Sequence, residues 1–147
     1  MNNWEKKNIW RKRGDNFLVE IFHSTYKIPP EYNFEKLGDN KWNVYAYIYK
    51  GHPLFDKFVG DSHYQPATEN IPFHGGCTFL KYEFDNGECC CIKVGCDYSH
   101  YGDDEYSHYD EEDLGSPFGV AIDAEELYVY LSLNELVAPL AIEQDKS

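Results

Sequence analysis

Polar and apolar residues alternate along residues 41–50, which is the pattern of a β-strand with two different faces. Successive side chains of a strand point to opposite faces, so one parity predicts a core face of Trp42, Val44, Ala46 and Ile48. The other parity contains tyrosines. This second face is either partly buried or a surface on which a planar ligand or another subunit stacks. Its tyrosines are Tyr45, Tyr47 and Tyr49.

Three more segments predict strands. Residues 17–22 are apolar at both parities, as in a central strand. Residues 78–84 and 88–95 flank an Asp-Asn-Gly turn, and Asn-Gly is a strong short-range signal for a hairpin. The chain therefore predicts an antiparallel sheet of about four strands.

The C-terminal part of the chain predicts a helix. Asp123 can cap its N-terminus, with Glu126 at the spacing of a capping box. Asn134 and Pro139 predict that only a short turn or a tail follows. The fold class is therefore α+β, with the C-terminal helix packed on one face of the sheet.

Charge is distributed unevenly along the chain. The 147 residues, enough for one domain, have a formal net charge of −13, yet both arginines lie near the N-terminus. We divide the chain into a basic N-terminal arm (1–13), a single α+β domain (14–142) and a frayed tail (143–147). The acidic total argues against direct nucleic-acid binding, because such a surface needs Lys and Arg facing phosphate.

The five cysteines predict free thiols in a reducing compartment, because their number is odd and three of them are consecutive. Strand alternation assigns Cys90 to the core, and Cys89 and Cys91 to the other face. The polar N-terminus lacks the apolar stretch of a signal peptide, and no run approaches the length of a transmembrane helix. These features predict a cytosolic protein that does not bind membranes.

Two polar segments stand at the ends of the predicted hairpin. His74, Gly75 and Gly76 precede its first strand, and residues 97–100 follow its second, so strand pairing brings the two segments together. Two glycines permit a positive φ or the close approach of a ligand to the backbone. The alternative is a tight turn in which His74 bonds to a backbone carbonyl.

The same segments contain groups that could support chemistry. Asp97, His100 and His74 could supply ligands for a divalent metal, or an acid–base pair in a hydrolase. Their spacing is not that of a zinc site, however, and Ser99 lacks the elbow motif of a nucleophile. We therefore expect no metal, no cofactor and no catalysis, and keep a metal-dependent phosphodiesterase as an alternative.

Residues 103–113 form the most acidic stretch, without the spacing of a calcium-binding loop. It is either a solvated loop or a surface that imitates phosphates and occupies the cationic groove of a host nucleic-acid-binding protein. Its carboxylates are Asp103, Asp104, Glu105, Asp110, Glu111, Glu112 and Asp113.

Four segments, residues 14–20, 42–49, 73–78 and 95–100, resemble a widespread family of small proteins encoded by tailed phages. Members typically carry His-Gly-Gly-x-Thr, then Asp-x-x-His shortly followed by an acidic residue. Most have no assigned activity, but small accessory phage proteins of this type often act against host immunity. The resemblance implies a counter-defence protein in the host cytoplasm that sequesters a cyclic nucleotide signal.

Together these features favour a homo-oligomeric binding protein with a small nucleotide ligand. Tyrosines can stack on bases, the donors near the glycines can meet phosphate, and Lys50, Lys81 and Lys93 can add local positive charge. The alternative is an acidic nucleic-acid mimic that inhibits a host defence protein. The expected ligand-binding residues are His74, Gly75, Gly76, Thr78, Asp97, Tyr98, His100, Tyr45 and Tyr47.

Overall fold

The computed structural model describes residues 7–34, 38–58, 65–98 and 118–145. Within them, five antiparallel strands form one sheet: β1, Lys7–Arg13; β2, Phe17–Thr25; β3, Asn40–Tyr49; β4, Phe79–Asp85; and β5, Glu88–Asp97. Their order is β1-β2-β3-β5-β4, so β1 and β4 are the two edges. A helix, α1, spans Phe118–Asp145 and packs on β2 and β3. Short 3₁₀ turns occur at Pro30–Tyr32, Phe55–Lys57 and Pro66–Asn70. The α+β prediction is confirmed, with five strands instead of four.

The fifth strand comes from the segment that we expected to be a basic arm. Residues 7–13 pair with β2 along their whole length, from Lys7 opposite Ser24 to Arg13 opposite Leu18. Trp10 packs against the core, with its ring centroid 6.0 Å from that of Trp42. An edge strand exposes most of its side chains to water, so most residues of this strand are polar or basic. The sequence therefore lacks the apolar pattern by which we recognised the other strands.

The helix is longer than the sequence predicts. It begins at Phe118, before Asp123, and continues past Asn134 and Pro139 to Asp145, so it includes the first residues of the expected tail. Apolar residues at helical spacing bury one side of it against the sheet. They are Val120, Ala124, Leu127 and Leu131.

The core lies between this side of α1 and one face of the sheet. The apolar parity predicted for β3 is buried there, which confirms that prediction. Burying one large aliphatic side chain stabilises a fold by about 1.5–3 kcal/mol, so the aligned rows of three strands dominate the packing energy. The rows contain Phe17, Val19 and Ile21 from β2, Trp42, Val44, Ala46 and Ile48 from β3, and Ile92, Val94 and Cys96 from β5.

A β-bulge makes the prediction wrong for two of the three consecutive cysteines. Glu83 lies opposite Cys91 and Phe84 opposite Cys89, so Cys90 is an extra residue on β5. Cys90 is exposed instead of lying in the core, and Cys89 packs against the core cluster. Cys91 lies opposite Tyr49 on the face away from the core, as expected, although it is buried there. All five cysteines are free thiols.

Candidate functional site

The sheet face opposite α1 carries the tyrosines of β3, and we call it the open face. Strand register aligns its side chains in rows that cross all five strands. One row contains Arg11, Glu20, Tyr45, Gly95 and Phe79. The next row contains Arg13, Leu18, Tyr47, Lys93 and Lys81. Aromatic and cationic side chains are therefore interleaved on this face.

Lys93 stands at the centre of an aromatic cluster. Its Nζ lies 4.2 Å from the ring centroid of Tyr45, 5.1 Å from that of Tyr47 and 5.5 Å from that of Phe79. The rings of Tyr45 and Phe79 meet edge to face, with their centroids 5.3 Å apart. At exposed sites, a cation over an aromatic face contributes roughly 0.5–1 kcal/mol. The cluster presents flat aromatic surface and a positive charge side by side.

The Tyr45 ring packs directly over Gly95. A Cβ at residue 95 would lie 2.4 Å from Cδ1 of Tyr45 and 2.8 Å from the carbonyl oxygen of Val44. The ring therefore occupies the space that any side chain at this position would need. An aromatic ring that covers a strand glycine in this way helps to pin the strand register.

A nearly buried carboxylate lies beside the cluster. The side chain of Glu20 is only 4% exposed, and its Oε2 accepts a hydrogen bond of 2.9 Å from Nε of Arg11. The hydroxyl of Tyr47 donates to Oε1 of Glu20 at 3.4 Å. Burial, and then the charge of Glu20, raise the pKa of Tyr47 to about 12, so this hydroxyl stays protonated at neutral pH. Arg11 is thus committed to compensating a buried charge.

Other cations on the open face are available for a ligand. Arg13, Lys81 and Lys93 make no ion pair with any residue in the described ranges. Lys50, which we expected to contribute positive charge, instead pairs with Glu88. The three cations share the face with the carboxylates of Glu20, Glu83 and Asp97, so it is far less acidic than the chain as a whole, whose net charge is −13.

A cleft of about 670 Å³ adjoins the aromatic cluster. It lies between the loop that precedes β4 and the start of that strand, and Phe79 belongs to both the cleft and the cluster. Gly76 and Thr78 line it, and Oγ1 of Thr78 donates to Oδ2 of Asp97 at 3.4 Å. Its volume falls in the range of about 300–1,000 Å³ that is typical of small-molecule sites.

The glycines next to the cleft form the turn that the sequence indicated. Gly75 has φ +68° and Gly76 has φ +89°, values that favour glycine. The amide of Gly76 donates to the carbonyl of Phe73 at 3.1 Å, which closes the turn. A Cβ at Gly76 would meet no atom within 4 Å, so backbone conformation, and not crowding, requires glycine here.

His74 and Tyr98 lie on the side of the sheet that α1 covers. Their rings stack with centroids 4.2 Å apart and planes 11° from parallel. The hydroxyl of Tyr98 donates to Oδ2 of Asp123 at 2.7 Å, and Nδ1 of His74 lies 4.0 Å from the same oxygen. The sequence analysis assigned Asp123 to a helix cap. Its contact with Tyr98 depends on how α1 packs on the sheet, so no local sequence pattern could reveal it.

The structure therefore divides the predicted ligand-binding residues between two places. Tyr45, Tyr47 and Asp97 belong to the open face, and Thr78 joins them through Asp97. His74 and Tyr98 belong to the helix side. His100 and the acidic segment 103–113 lie outside the described residues. Phe79 and Lys93 complete the open-face cluster, and Phe79 was not among the predicted site residues.

Two buried thiols are unsuited to nucleophilic chemistry. Burial raises the pKa values of Cys91 and Cys96 to about 12, and the thiol, unlike the thiolate, is a weak nucleophile. In the described ranges, no three His, Cys, Asp or Glu side chains are grouped so that they could hold a metal ion. The open face itself offers stacking, hydrogen bonding and charge pairing.

Comparisons with known proteins returned no match among protein-family models, curated proteins or solved structures. The described part of the chain has no helix with the length and apolarity that a membrane crossing requires.

Proposed function

We propose that this protein binds a small nucleotide-type ligand on the open face and in the adjoining cleft, and leaves it chemically unchanged. One observation carries the proposal: the Lys93 ammonium lies among the rings of Tyr45, Tyr47 and Phe79, next to a cleft of suitable size. Few ligand classes match both a flat aromatic surface and a cation that has no ion pair within the described ranges. A nucleotide does, because it combines a planar base with an anionic phosphate.

Base stacking supplies the first part of the recognition. Aromatic side chains on a sheet stack with bases of any sequence, and each stacked base contributes about 1–3 kcal/mol. The Tyr45 ring packs over Gly95 and meets the Phe79 ring edge to face, and these contacts hold it on the sheet. Tyr47 is held by its bond to Glu20. Rings that are fixed before binding lose little conformational entropy when a base arrives.

Charge pairing supplies the second part. Lys93, Lys81 and Arg13 lie in one row and are free of ion pairs within the described ranges, so each can approach a phosphate. Lys93 and Lys81 lie on neighbouring strands and suit a ligand with a few negative charges, whereas Arg13 lies at the opposite edge of the sheet. A long nucleic acid would instead experience the net charge of −13, which repels a polyanion over the whole surface.

The biological part of the proposal rests on the resemblance to tailed-phage accessory proteins. We propose that the ligand is a nucleotide immune signal of the host, such as a cyclic dinucleotide, and that binding lowers its free concentration. A molecule that only sequesters its ligand needs affinity and abundance, and no catalytic group. The acidic mimic stays a prediction for residues 103–113, which lie outside the described ranges.

Isothermal titration calorimetry tests this proposal with a panel of cyclic dinucleotides, cyclic trinucleotides and mononucleotides. We expect at least one cyclic nucleotide to bind with a dissociation constant of about 1 μM or below, and mass spectrometry to recover it intact. Lys93→Ala and Tyr45→Leu should each weaken binding about tenfold or more, because each removes one of the two recognition elements.

Matched variants separate the open face from other surfaces. Tyr45→Phe keeps the ring and should bind almost as wild type does, whereas Tyr32→Leu removes a tyrosine that is 70% exposed elsewhere and should have no effect. His74→Ala tests the helix side. If every nucleotide binds more weakly than 1 mM, the proposal is wrong. If His74→Ala alone abolishes binding, the ligand site is not on the open face.

A further inference from the structure

The edge strand β4 has a self-complementary pattern of charged side chains. We propose that the protein forms a homodimer in which β4 pairs antiparallel with β4 of a second copy, about a two-fold axis at Tyr82. The inference concerns assembly and does not depend on the proposed ligand.

β4 offers its outer edge to a partner. It is the last strand of the sheet, and among the described residues it pairs only with β5. Two large apolar side chains at its ends are exposed, Phe79 by 37% and Phe84 by 65%. An edge strand with unpaired backbone groups is a template for another strand.

Charge complementarity selects the occupant and the register. In an antiparallel pair centred on Tyr82, Lys81 of one copy lies opposite Glu83 of the other, and the symmetry axis repeats this pair. Leu80 then lies opposite Phe84, so apolar residues also face each other. Neither Lys81 nor Glu83 has an ion pair within the described ranges. A second copy therefore supplies the missing partner of each.

Neighbouring registers are unfavourable for the same reason. An axis at Lys81 would place two lysines opposite each other, and an axis at Glu83 would place two glutamates opposite each other. Like charges directly opposite in a sheet are destabilising. Of the three registers centred on Lys81, Tyr82 and Glu83, only the one at Tyr82 places opposite charges across the pair.

The first edge of the sheet does not have this property. β1 contains Lys7, Arg11, Lys12 and Arg13, so self-pairing would bring two basic strands together. The bulge in the β4–β5 pairing also favours β4, because its extra residue lies on β5 and leaves the alternation of β4 regular. Pairing at β4 would join two sheets into one continuous sheet and place the two open faces side by side.

Analytical ultracentrifugation without nucleotide tests the proposal. We expect wild-type protein to be dimeric at micromolar concentration. Lys81→Glu and Glu83→Lys should each weaken dimerisation about tenfold or more, because each replaces two attractive pairs with two repulsive ones. The exposed control Lys57→Glu makes the same charge change away from β4 and should leave the dimer unchanged.

Charge exchange makes the test independent of folding defects. The double variant Lys81→Glu/Glu83→Lys restores both pairs and should dimerise as wild type does. An equimolar mixture of the two single variants should form heterodimers, since each then faces the opposite charge. A monomeric wild type at 100 μM, or single variants that self-associate as tightly as wild type, would overturn the proposal.

Discussion

His52 shows how a single buried side chain joins distant parts of the chain. Its ring lies in the core, where Nδ1 accepts a hydrogen bond of 3.1 Å from the amide of Leu54. This leaves the proton on Nε2, which donates to the carbonyl of Leu131 in α1 at 3.0 Å. Both nitrogens are satisfied in the neutral form, so protonation would break the bond to Leu54.

Stability should therefore fall in mild acid. Burial lowers the pKa of His52 below its ordinary value of 6.5, so the unfolded chain takes up a proton that the folded chain excludes. Stability is complete above pH 6.5 and is lost as the pH falls towards the folded-state pKa. Urea unfolding between pH 8 and pH 5 measures this loss.

The matched variant is His52→Gln, which cannot titrate. It should be less stable at pH 8 by about 1–3 kcal/mol, because buried hydrogen-bonding groups lose partners. Its free energy of unfolding should depend less on pH than that of wild type over the same interval. An unchanged pH dependence would show that other groups cause the acid sensitivity.

At the scale of an element, α1 has two sides with different roles. Leu131 is completely buried against the sheet, whereas Leu133 is 55% exposed. The two leucines are close in sequence, but the helical period of 3.6 residues separates their directions. The sequence alone does not identify the inward side, because apolar residues occur on both.

Two alanine substitutions test this assignment. Leu131→Ala should destabilise the protein by about 2–5 kcal/mol, because it leaves a cavity in the core. Leu133→Ala removes the same atoms from the surface and should change stability by roughly 0.5 kcal/mol or less. Equal effects in chemical denaturation would mean that α1 is rotated relative to the structure described above.

At the scale of the whole molecule, β1 is part of the folded unit. Its Trp10 packs near Trp42, and Nζ of Lys12 contacts Glu125 of α1 at 2.8 Å. The hydroxyl of Tyr128 donates to the carbonyl of Arg13 at 3.3 Å. The N-terminal strand thus connects the sheet edge with the helix.

Deleting residues 1–13 should destabilise the protein by at least about 3 kcal/mol. It removes the partly buried Trp10 side chain from the edge of the core and turns β2 into an unpaired edge. Lys12→Ala is the control, since it removes only an exposed ion pair and should cost about 1 kcal/mol or less. If the truncated chain unfolds at the same urea concentration as the full chain, residues 7–13 are not part of the stable fold.

Local pattern was sufficient for several features of this protein. Side-chain alternation predicted β3 and its buried face, and the Asn-Gly turn predicted the β4–β5 hairpin. The two glycines before β4 allowed positive φ and a tight turn as one interpretation, and the structure has both. Each of these features depends on residues that are neighbours in the chain, so the sequence by itself determined them.

Contacts between distant residues were decided only by the tertiary structure. The bulge that exposes Cys90 depends on how β4 and β5 pair, and the role of Asp123 depends on how α1 lies on the sheet. The predicted site was divided for the same reason. Tyr45 and His74 lie on opposite sides of the sheet, and no local pattern states which side a loop will join. Local sequence determined β2, β3 and the β4–β5 hairpin, whereas packing added β1 to the sheet and decided which side chains meet.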